Sequence, residues 1–181
     1  KLLDAEWLGS PYIIPGTTNI YALVHNEYDP DKWGTLAGCS DHQPWNNLCE
    51  VYTSITSVFS SDNGKHYTHP TNYKVATPPF PLEQPLPSGL GEPSNIIKHT
   101  DGRYHAFLTA MNHLPEQPGG GCLIRADNIA DTNGPGTLWY AWDGSGFNDL
   151  LDGSHACTPL EAESLGGGIE YDWSLNTILY S

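Results

Sequence analysis

The sequence predicts an all-β domain, and three observations support that prediction. The chain of 181 residues has no long stretch of helical periodicity, and its apolar residues fall into short runs. Its 19 glycines and 15 prolines lie largely between those runs, where they favour turns. The chain is also long enough to bury a substantial core within one domain.

The clearest element is a β-hairpin at residues 94–111. Residues 94–98 form a short apolar run, Asp101 and Gly102 provide a tight turn, and residues 103–111 return. Apolar and polar side chains alternate along the return strand, which is typical of a half-buried strand. Glu92 and Pro93 come just before this hairpin, so the sequence places a carboxylate at the mouth of a strand.

Before this hairpin, the chain predicts four strands joined by turns and loops. Residues 1–10 are predicted to be a lead-in, and residues 78–91 an extended proline-rich connector. Residues 29–48 form a long loop of a kind that is uncommon in compact domains unless it has a function. The four predicted strands are 11–15, 20–28, 51–60 and 73–77.

The pattern then restarts, which indicates repeated four-stranded units. The hairpin is followed by predicted strands at 122–127 and 138–142, a turn at 143–146, a loop at 148–167 and a new strand pair from 169. Four-stranded units in series predict a β-propeller, which we favour over a plain β-sandwich. The predicted units span about 1–80, 91–147 and 168–181.

About two and a half such blades do not close a ring, because propellers typically have about four to eight. An open fan of blades leaves apolar faces and strand edges uncovered. We therefore expect one propeller domain that is part of a longer polypeptide or is completed by self-association.

The segment around the hairpin resembles a known family. Glu92-Pro93, the apolar run and Asp101-Gly102 with its following aromatic residues are similar to the inner hairpin of five-bladed propeller glycoside hydrolases of the arabinanase/xylosidase-like and invertase-like types. Over nearly its whole length, the chain resembles uncharacterised secreted propeller proteins related to those enzymes. The matching segments are 25–28, 93–98, 122–125 and 142–147.

A second motif, Ser60-x-Asp62-x-Gly64-x-x-Tyr67, resembles the Asp-box of sialidases and related propellers. We expect Asp62 to accept backbone hydrogen bonds, Gly64 to take a positive φ and Tyr67 to pack against the sheet. This role is structural.

The resemblance implies catalytic carboxylates where the inner strands begin, because glycoside hydrolysis needs two carboxyl groups beside the sugar. The candidates are Asp4 or Glu6 in the first unit, Glu92 in the second and Glu170 in the third. The family pattern usually has aspartate in the first two units, so Glu92 departs from it.

Several other residues are candidates for substrate binding. His25 and Glu27 lie two apart on a predicted strand and so share a face; we favour a hydrogen-bonded pair over a site for sugar hydroxyls or a cation. Asn95 and Arg125 are further candidates, and Trp45 lies in a long polar loop where it could stack on a sugar. His66 and His69 are expected to be solvated in a turn.

The four cysteines predict two disulfides, Cys39–Cys49 within one loop and Cys122–Cys157. Disulfides indicate a secreted, extracellular or periplasmic protein. No cysteine spacing typical of a zinc site occurs, and we expect no cofactor, although a structural calcium ion is compatible with the fold.

The net charge of −14, with only seven lysines and arginines, argues against nucleic-acid partners and anionic membrane surfaces. No apolar run approaches the roughly 18 residues of a membrane helix. We therefore expect a carbohydrate ligand and a secreted carbohydrate-active protein that hydrolyses glycosidic bonds with paired carboxylates. The alternative is a non-catalytic extracellular structural or binding protein with the same fold.

Overall fold

The computed structural model describes residues 5–28, 52–81, 88–111, 115–129 and 137–160, together with the backbone of 169–172 and 177–180. Every regular element in these ranges is a β-strand, which confirms the predicted all-β class. In this part of the chain, no helix is long and apolar enough to cross a membrane.

The described strands follow one another along the chain as short extended segments. They are β1 Ala5–Ile13, β2 Ile20–Tyr28, β3 Tyr52–Ser60, β4 Lys74–Ala76, β5 Ser88–Gly91, β6 Ile97–Lys98, β7 Tyr104–Ala110, β8 Gly120–Ala126, β9 Trp139–Trp142, β10 Phe147–Leu150, β11 Ile169–Asp172 and β12 Thr177–Tyr180.

The first four strands form an antiparallel unit in the order β1-β2-β3-β4. Strand β1 pairs with β2 so that Trp7 lies opposite His25, and a register shift occurs between Leu8 and Ser10. Strand β2 pairs with β3 over its full length. This regular pairing fixes which side chains share a face at the amino-terminal end of β1.

The next six strands form a second antiparallel unit in which β5 and β6 both pair with β7, and β8, β9 and β10 follow outward. The turn at Asp101 and Gly102 has the expected geometry, with Gly102 at φ 87°. Tyr104, Ala106, Leu108 and Ala110 are buried, as their alternation predicts.

The two units are joined by a parallel contact in which Tyr52 pairs with Ser88 and Thr53 with Gly89. A Cβ atom on Gly89 would lie 2.2 Å from the Thr53 carbonyl oxygen, so this contact requires glycine. The result is a mixed ten-stranded sheet that does not close, with β1 and β10 at its ends.

One apolar core lies between the two units and draws side chains from both. Leu23 and Ile55 of the first unit belong to the same buried cluster as Leu108 and Ile124 of the second. The Trp139 indole N–H also donates to the Tyr21 hydroxyl at 2.9 Å. A smaller cluster of Ala22, Val24 and Val58 lies on the other face of the first sheet.

The motif at Ser60 forms the predicted turn. The Asp62 carboxylate accepts hydrogen bonds from the backbone N–H groups of Lys65 and His66, and Gly64 has φ 81°. Tyr67 packs against the smaller apolar cluster, so all three expectations are confirmed.

Cys122 and Cys157 form a disulfide with their Cα atoms 5.8 Å apart, in agreement with the predicted pairing. The chain then returns to β8, where the Leu160 N–H donates to the Gly121 carbonyl at 2.9 Å. Cys39 and Cys49 lie outside the described residues.

Residues 14–15 and 94–96, predicted as parts of strands, are not strand in the structure, and three segments predicted as lead-in, connector or loop contain strand residues. Residues 5–10 of the predicted lead-in belong to β1, residues 88–91 of the predicted connector form β5, and residues 148–150 of the predicted loop belong to β10. Each is held by pairing with a neighbouring strand rather than by a strong sequence pattern of its own. The predicted third strand pair corresponds to β11 and β12, which pair with each other in a separate two-stranded sheet.

Candidate functional site

His25 brings together two acidic residues that are far apart in the sequence. Its Nε2 atom lies 3.1 Å from Oε1 of Glu27, so the predicted hydrogen-bonded pair is confirmed. On the other side of the ring, the backbone N–H of Glu92 donates to His25 Nδ1 at 3.2 Å. The Glu92 carboxylate also lies 4.0 Å from Nδ1.

These contacts define the tautomer of the imidazole ring. Because Nδ1 accepts the Glu92 N–H, it has no hydrogen of its own in this arrangement. The ring hydrogen is therefore on Nε2, which donates it to Glu27. One oxygen of the Glu27 carboxylate is held by this bond, and the ring itself is almost fully buried.

Glycines allow the second unit to approach His25 closely. A Cβ atom on Gly91 would lie 2.9 Å from His25 Cε1, and one on Gly9 would lie 3.0 Å from Cγ of Pro93. Side chains at these positions would push the Glu92–Pro93 segment away from β1 and β2. The small residues therefore determine how near Glu92 comes to His25.

Glu92 has a backbone φ of 48°, which is in the left-handed region. A non-glycine residue in this region costs on the order of 1 kcal/mol and persists only where its surroundings hold it. Here the bond from its N–H to His25 and the proline that follows provide that restraint. The conformation directs the Glu92 side chain to solvent, where it is 66% exposed.

The two carboxylates open onto a cleft of about 320 Å³, within the size range of small-ligand sites. Glu27 is partly accessible there, with 35% of its side chain exposed. Trp7 lies beside His25 on the same sheet face and is 60% exposed. The cleft is lined by Trp7, Leu8, Gly9, His25, Glu27, Glu92 and Pro93.

Glu6 lies apart from this cleft. It precedes Trp7 on β1, so its side chain is on the opposite face of the sheet. There its carboxylate accepts a hydrogen bond from Thr56 Oγ1 at 3.0 Å and lies 3.2 Å from Nε2 of His69. The expectation that His69 is solvated is wrong, because its Nδ1 also bonds the Ser57 carbonyl at 2.9 Å. His66, by contrast, is 85% exposed.

Arg125 is also outside the cleft. It lies on the second unit opposite His105, with its guanidinium 4.5 Å from the centre of the Phe147 ring and 3.8 Å from Asp127. Burial lowers the pKa of the neighbouring His105, and the nearby Asp101 carboxylate partly offsets that effect.

Of the remaining candidates, the structure describes the side chain of Asn95 alone, and it lies outside this group. Asn95 is half-buried between β5 and β6, where its carbonyl accepts the Ser94 hydroxyl. Glu170 lies on β11, of which only the backbone is described. Asp4 and Trp45 lie outside the described residues. The structure thus brings together His25, Glu27 and Glu92 of the predicted site residues.

Trp7 and Gly91 were missed as site residues. The signal for Trp7 was its cross-strand position opposite His25, which becomes apparent only once β1 is known to begin at Ala5. For Gly91 the only signal was its place beside Glu92 in a glycine-rich segment.

A second cavity, of about 340 Å³, lies between β4 and the β9–β10 pair. Its walls are mainly apolar and include Val75, Leu138 and Leu151, with Lys74 and Asp152 among its charged residues. It is slightly larger than the cleft at His25, but it has no pair of carboxylates. We therefore place the candidate site at His25.

Among the described residues, no group of three or more histidines, cysteines and acids is arranged to hold a metal ion. No protein-family model, curated protein or solved structure matches this chain. The candidate site therefore rests on its own geometry.

Proposed function

We propose that this chain is a secreted, carbohydrate-active β-propeller protein that binds a glycan in the cleft at His25. The observation that carries the proposal is the convergence of Glu27 and Glu92 on one imidazole at the edge of an open cleft. Carboxylates bind sugar hydroxyls well because each oxygen accepts hydrogen bonds.

The propeller part of the proposal is supported by the two antiparallel units and their shared apolar core. We assign them as two blades of a five-bladed ring, with the β11–β12 hairpin at the start of a third. The remainder of a longer chain, or a second copy, would supply the missing blades.

The site also has the groups needed for glycosidic bond hydrolysis. Oε1 of Glu27 lies 3.1 Å from Nε2 of His25, and Oε1 of Glu92 lies 4.0 Å from Nδ1 of the same ring. Together with the width of the ring, these distances place the two carboxylate oxygens at most about 9 Å apart. Retaining and inverting enzymes use separations of about 5 Å and about 6.5–9.5 Å, so both geometries fit this limit. We assign Glu27, held by His25, as nucleophile or base, and the exposed Glu92 as proton donor.

Screening the purified chain on a glycan array, followed by hydrolysis assays on every glycan bound, tests this function. We expect binding to at least one glycan, and a loss of hydrolysis of about 100-fold or more in Glu92→Gln and in Glu27→Gln. Glu116→Gln, which changes an exposed acid outside the cleft, is the matched control.

Each outcome of this experiment has a definite meaning. Absence of binding to all array glycans would reject the proposed function. Unchanged hydrolysis in Glu92→Gln would remove Glu92 from the reaction, whereas binding that needs the two glutamates without any hydrolysis would favour a non-catalytic protein.

One observation favours that second candidate, an extracellular binding protein completed by another chain. The sheet is open, and three large apolar side chains exposed in the described residues lie on its edge strand β1: Trp7, Leu8 and Ile13. Exposed apolar residues on an edge strand are suited to contact another chain. Light scattering over a range of concentrations would reveal such self-association. The disulfide supports a location outside the reducing cytosol for either candidate.

A further inference from the structure

Trp7 is an exposed indole at a polar site. A tryptophan has about 150–250 Å² to bury, so leaving 60% of it in water forgoes much of its hydrophobic contribution. Its neighbour in register, His25, is buried on the same face. The fold thus provides cover for the imidazole but leaves the adjacent indole accessible from the cleft.

The position of Trp7 relative to the two carboxylates follows from the strand register. Trp7 lies opposite His25, and Ala5, two residues earlier on the same face, lies opposite Glu27. The indole therefore forms one wall of the cleft beside the acids. A pyranose ring that packs its C–H face on this indole would direct hydroxyl groups at its rim toward Glu27 and Glu92.

The charge of the cleft restricts what it can bind. Its acidic lining residues among those described are the two glutamates, and no lysine or arginine of that part of the chain lines it. The net charge of the whole chain is also strongly negative, at −14. A uronate or sulfated sugar would bring a further negative charge next to these carboxyl groups, which weakens binding because like charges repel.

We infer that Trp7 is the stacking platform of the cleft, and that the site is specific for neutral or amino pyranose glycans over anionic ones. This inference rests on the proposed function and adds to it the ligand class and a binding residue. The indole supplies contact area to the apolar face of a sugar, and the carboxylates supply orientation and exclude anionic sugars.

Calorimetric titration with defined oligosaccharides tests the inference. The probes are cellotetraose, xylotetraose, mannotetraose and the glucosamine tetramer, with tetragalacturonate as the anionic member. We expect at least one of the first four to bind, and tetragalacturonate to bind at least about tenfold more weakly. For the best probe, Trp7→Ala should lower affinity by about 10–100-fold, while Trp7→Phe should retain most of it.

Ile13→Ala is the matched control, because it removes a large exposed apolar residue from the same strand outside the cleft. Its affinity should equal that of the wild type. Urea unfolding of each variant separates loss of binding from loss of fold, and Trp7→Phe provides a second test should Trp7→Ala prove unstable.

The outcomes distinguish this inference from the function on which it rests. Wild-type affinity in Trp7→Ala would overturn the stacking role, and equal or stronger binding of tetragalacturonate would overturn the specificity, while both results leave glycan binding intact. If neither these probes nor any array glycan binds the wild type, the proposed function and this inference both fail.

Discussion

The two nitrogens of His25 have different partners, and this difference gives the candidate site its geometry. Nε2 donates to a side chain on its own strand, whereas Nδ1 accepts from the backbone of the other unit. A single ring therefore sets the orientation of Glu27 and the approach of Glu92. A residue with only one polar group in place of His25 could bond either the Glu27 carboxylate or the Glu92 backbone N–H, and the other glutamate would lose its restraint.

We predict that Gly91→Ala destabilises the protein by about 1–3 kcal/mol, because the new methyl group would lie 2.9 Å from a buried ring carbon of His25. Either the ring or β5 must shift, so binding of any glycan ligand should weaken as well. Urea unfolding and the glycan assay measure the two effects.

The control for this substitution is Gly121→Ala, another strand glycine, where the nearest contact of an added Cβ is 3.8 Å. Its free energy of unfolding should change by less than about 0.5 kcal/mol. Equal destabilisation in the two variants would show that replacing any glycine in a strand has this effect, and that contact with His25 is not its cause.

At this scale, the sequence could predict contacts between near neighbours only. The His25–Glu27 pair follows from the alternation of side chains along one strand. The contact between His25 and Glu92 spans 67 residues and depends on the parallel pairing of β3 with β5. No local pattern contains that information.

Among the structural elements, the turn after β3 shows how a short motif stabilises a loop. The Asp62 carboxylate collects bonds from two backbone N–H groups, the Ser60 hydroxyl and the His66 ring. The backbone and side-chain bonds from His66, followed by the Ser60 bond, hold the pKa of Asp62 well below its usual range.

We predict that Asp62→Asn lowers the thermal midpoint at pH 7 and that its difference from the wild type shrinks in acid. A lowered pKa in the folded state means that the ionised Asp62 stabilises the fold above its unfolded pKa of about 4, and that this contribution is lost as the pH falls further. Calorimetry at pH 7 and pH 3 measures the change. A difference that stays constant across this range, with Glu116→Gln as the control for loss of an exposed acid, would contradict the prediction.

Strand β2 was predicted over its observed length, because its apolar run is bounded by turn residues on the amino-terminal side. The amino-terminal half of β1 was missed because residues 6–9 are exposed and do not alternate in polarity. Strand β5 was missed because its sequence is Ser-Gly-Leu-Gly, which has low strand propensity and is held by its neighbours.

At the scale of the whole molecule, the two units share one buried core in which aromatic side chains of both units meet. Tyr21 and Trp139 stack with ring centres 6.4 Å apart and share a hydrogen bond across the interface. Burial raises the pKa of Tyr21 to about 12, and hydrogen bonds from neighbouring groups partly offset this effect. Burial also raises the pKa of Tyr52.

We predict that the free energy of unfolding falls between pH 10 and pH 12. The unfolded chain ionises its tyrosines near pH 10, whereas Tyr21 stays neutral in the fold, so its contribution is present below pH 10 and lost as the pH rises toward 12. Tyr21→Phe should reduce this loss of unfolding free energy by about 2 kcal/mol. Part of the loss should remain in that variant, because burial also raises the pKa of Tyr52. Urea unfolding at pH 8, 10 and 11.5, with Tyr140→Phe as control, measures this. An unchanged pH dependence in Tyr21→Phe would refute it.

The all-β class could be predicted because it follows from composition and short apolar runs. The joining of the units through a parallel contact could not, because Ser88 and Gly89 carry no pattern that specifies their partner. The second antiparallel unit begins at Ser88, before the restart predicted near residue 94, because the short strand β5 has no pattern of its own.

The parallel contact between β3 and β5 also imposes an order on events during synthesis. Strands β1–β4 pair with chain neighbours, so they can assemble once residue 76 has left the ribosome. Strand β5 pairs with neither of its neighbours in the chain, and of its two partners β3 is synthesised before it and β7 after it. When β5 emerges, β3 is therefore the partner already available to it, and pairing with β7 can follow.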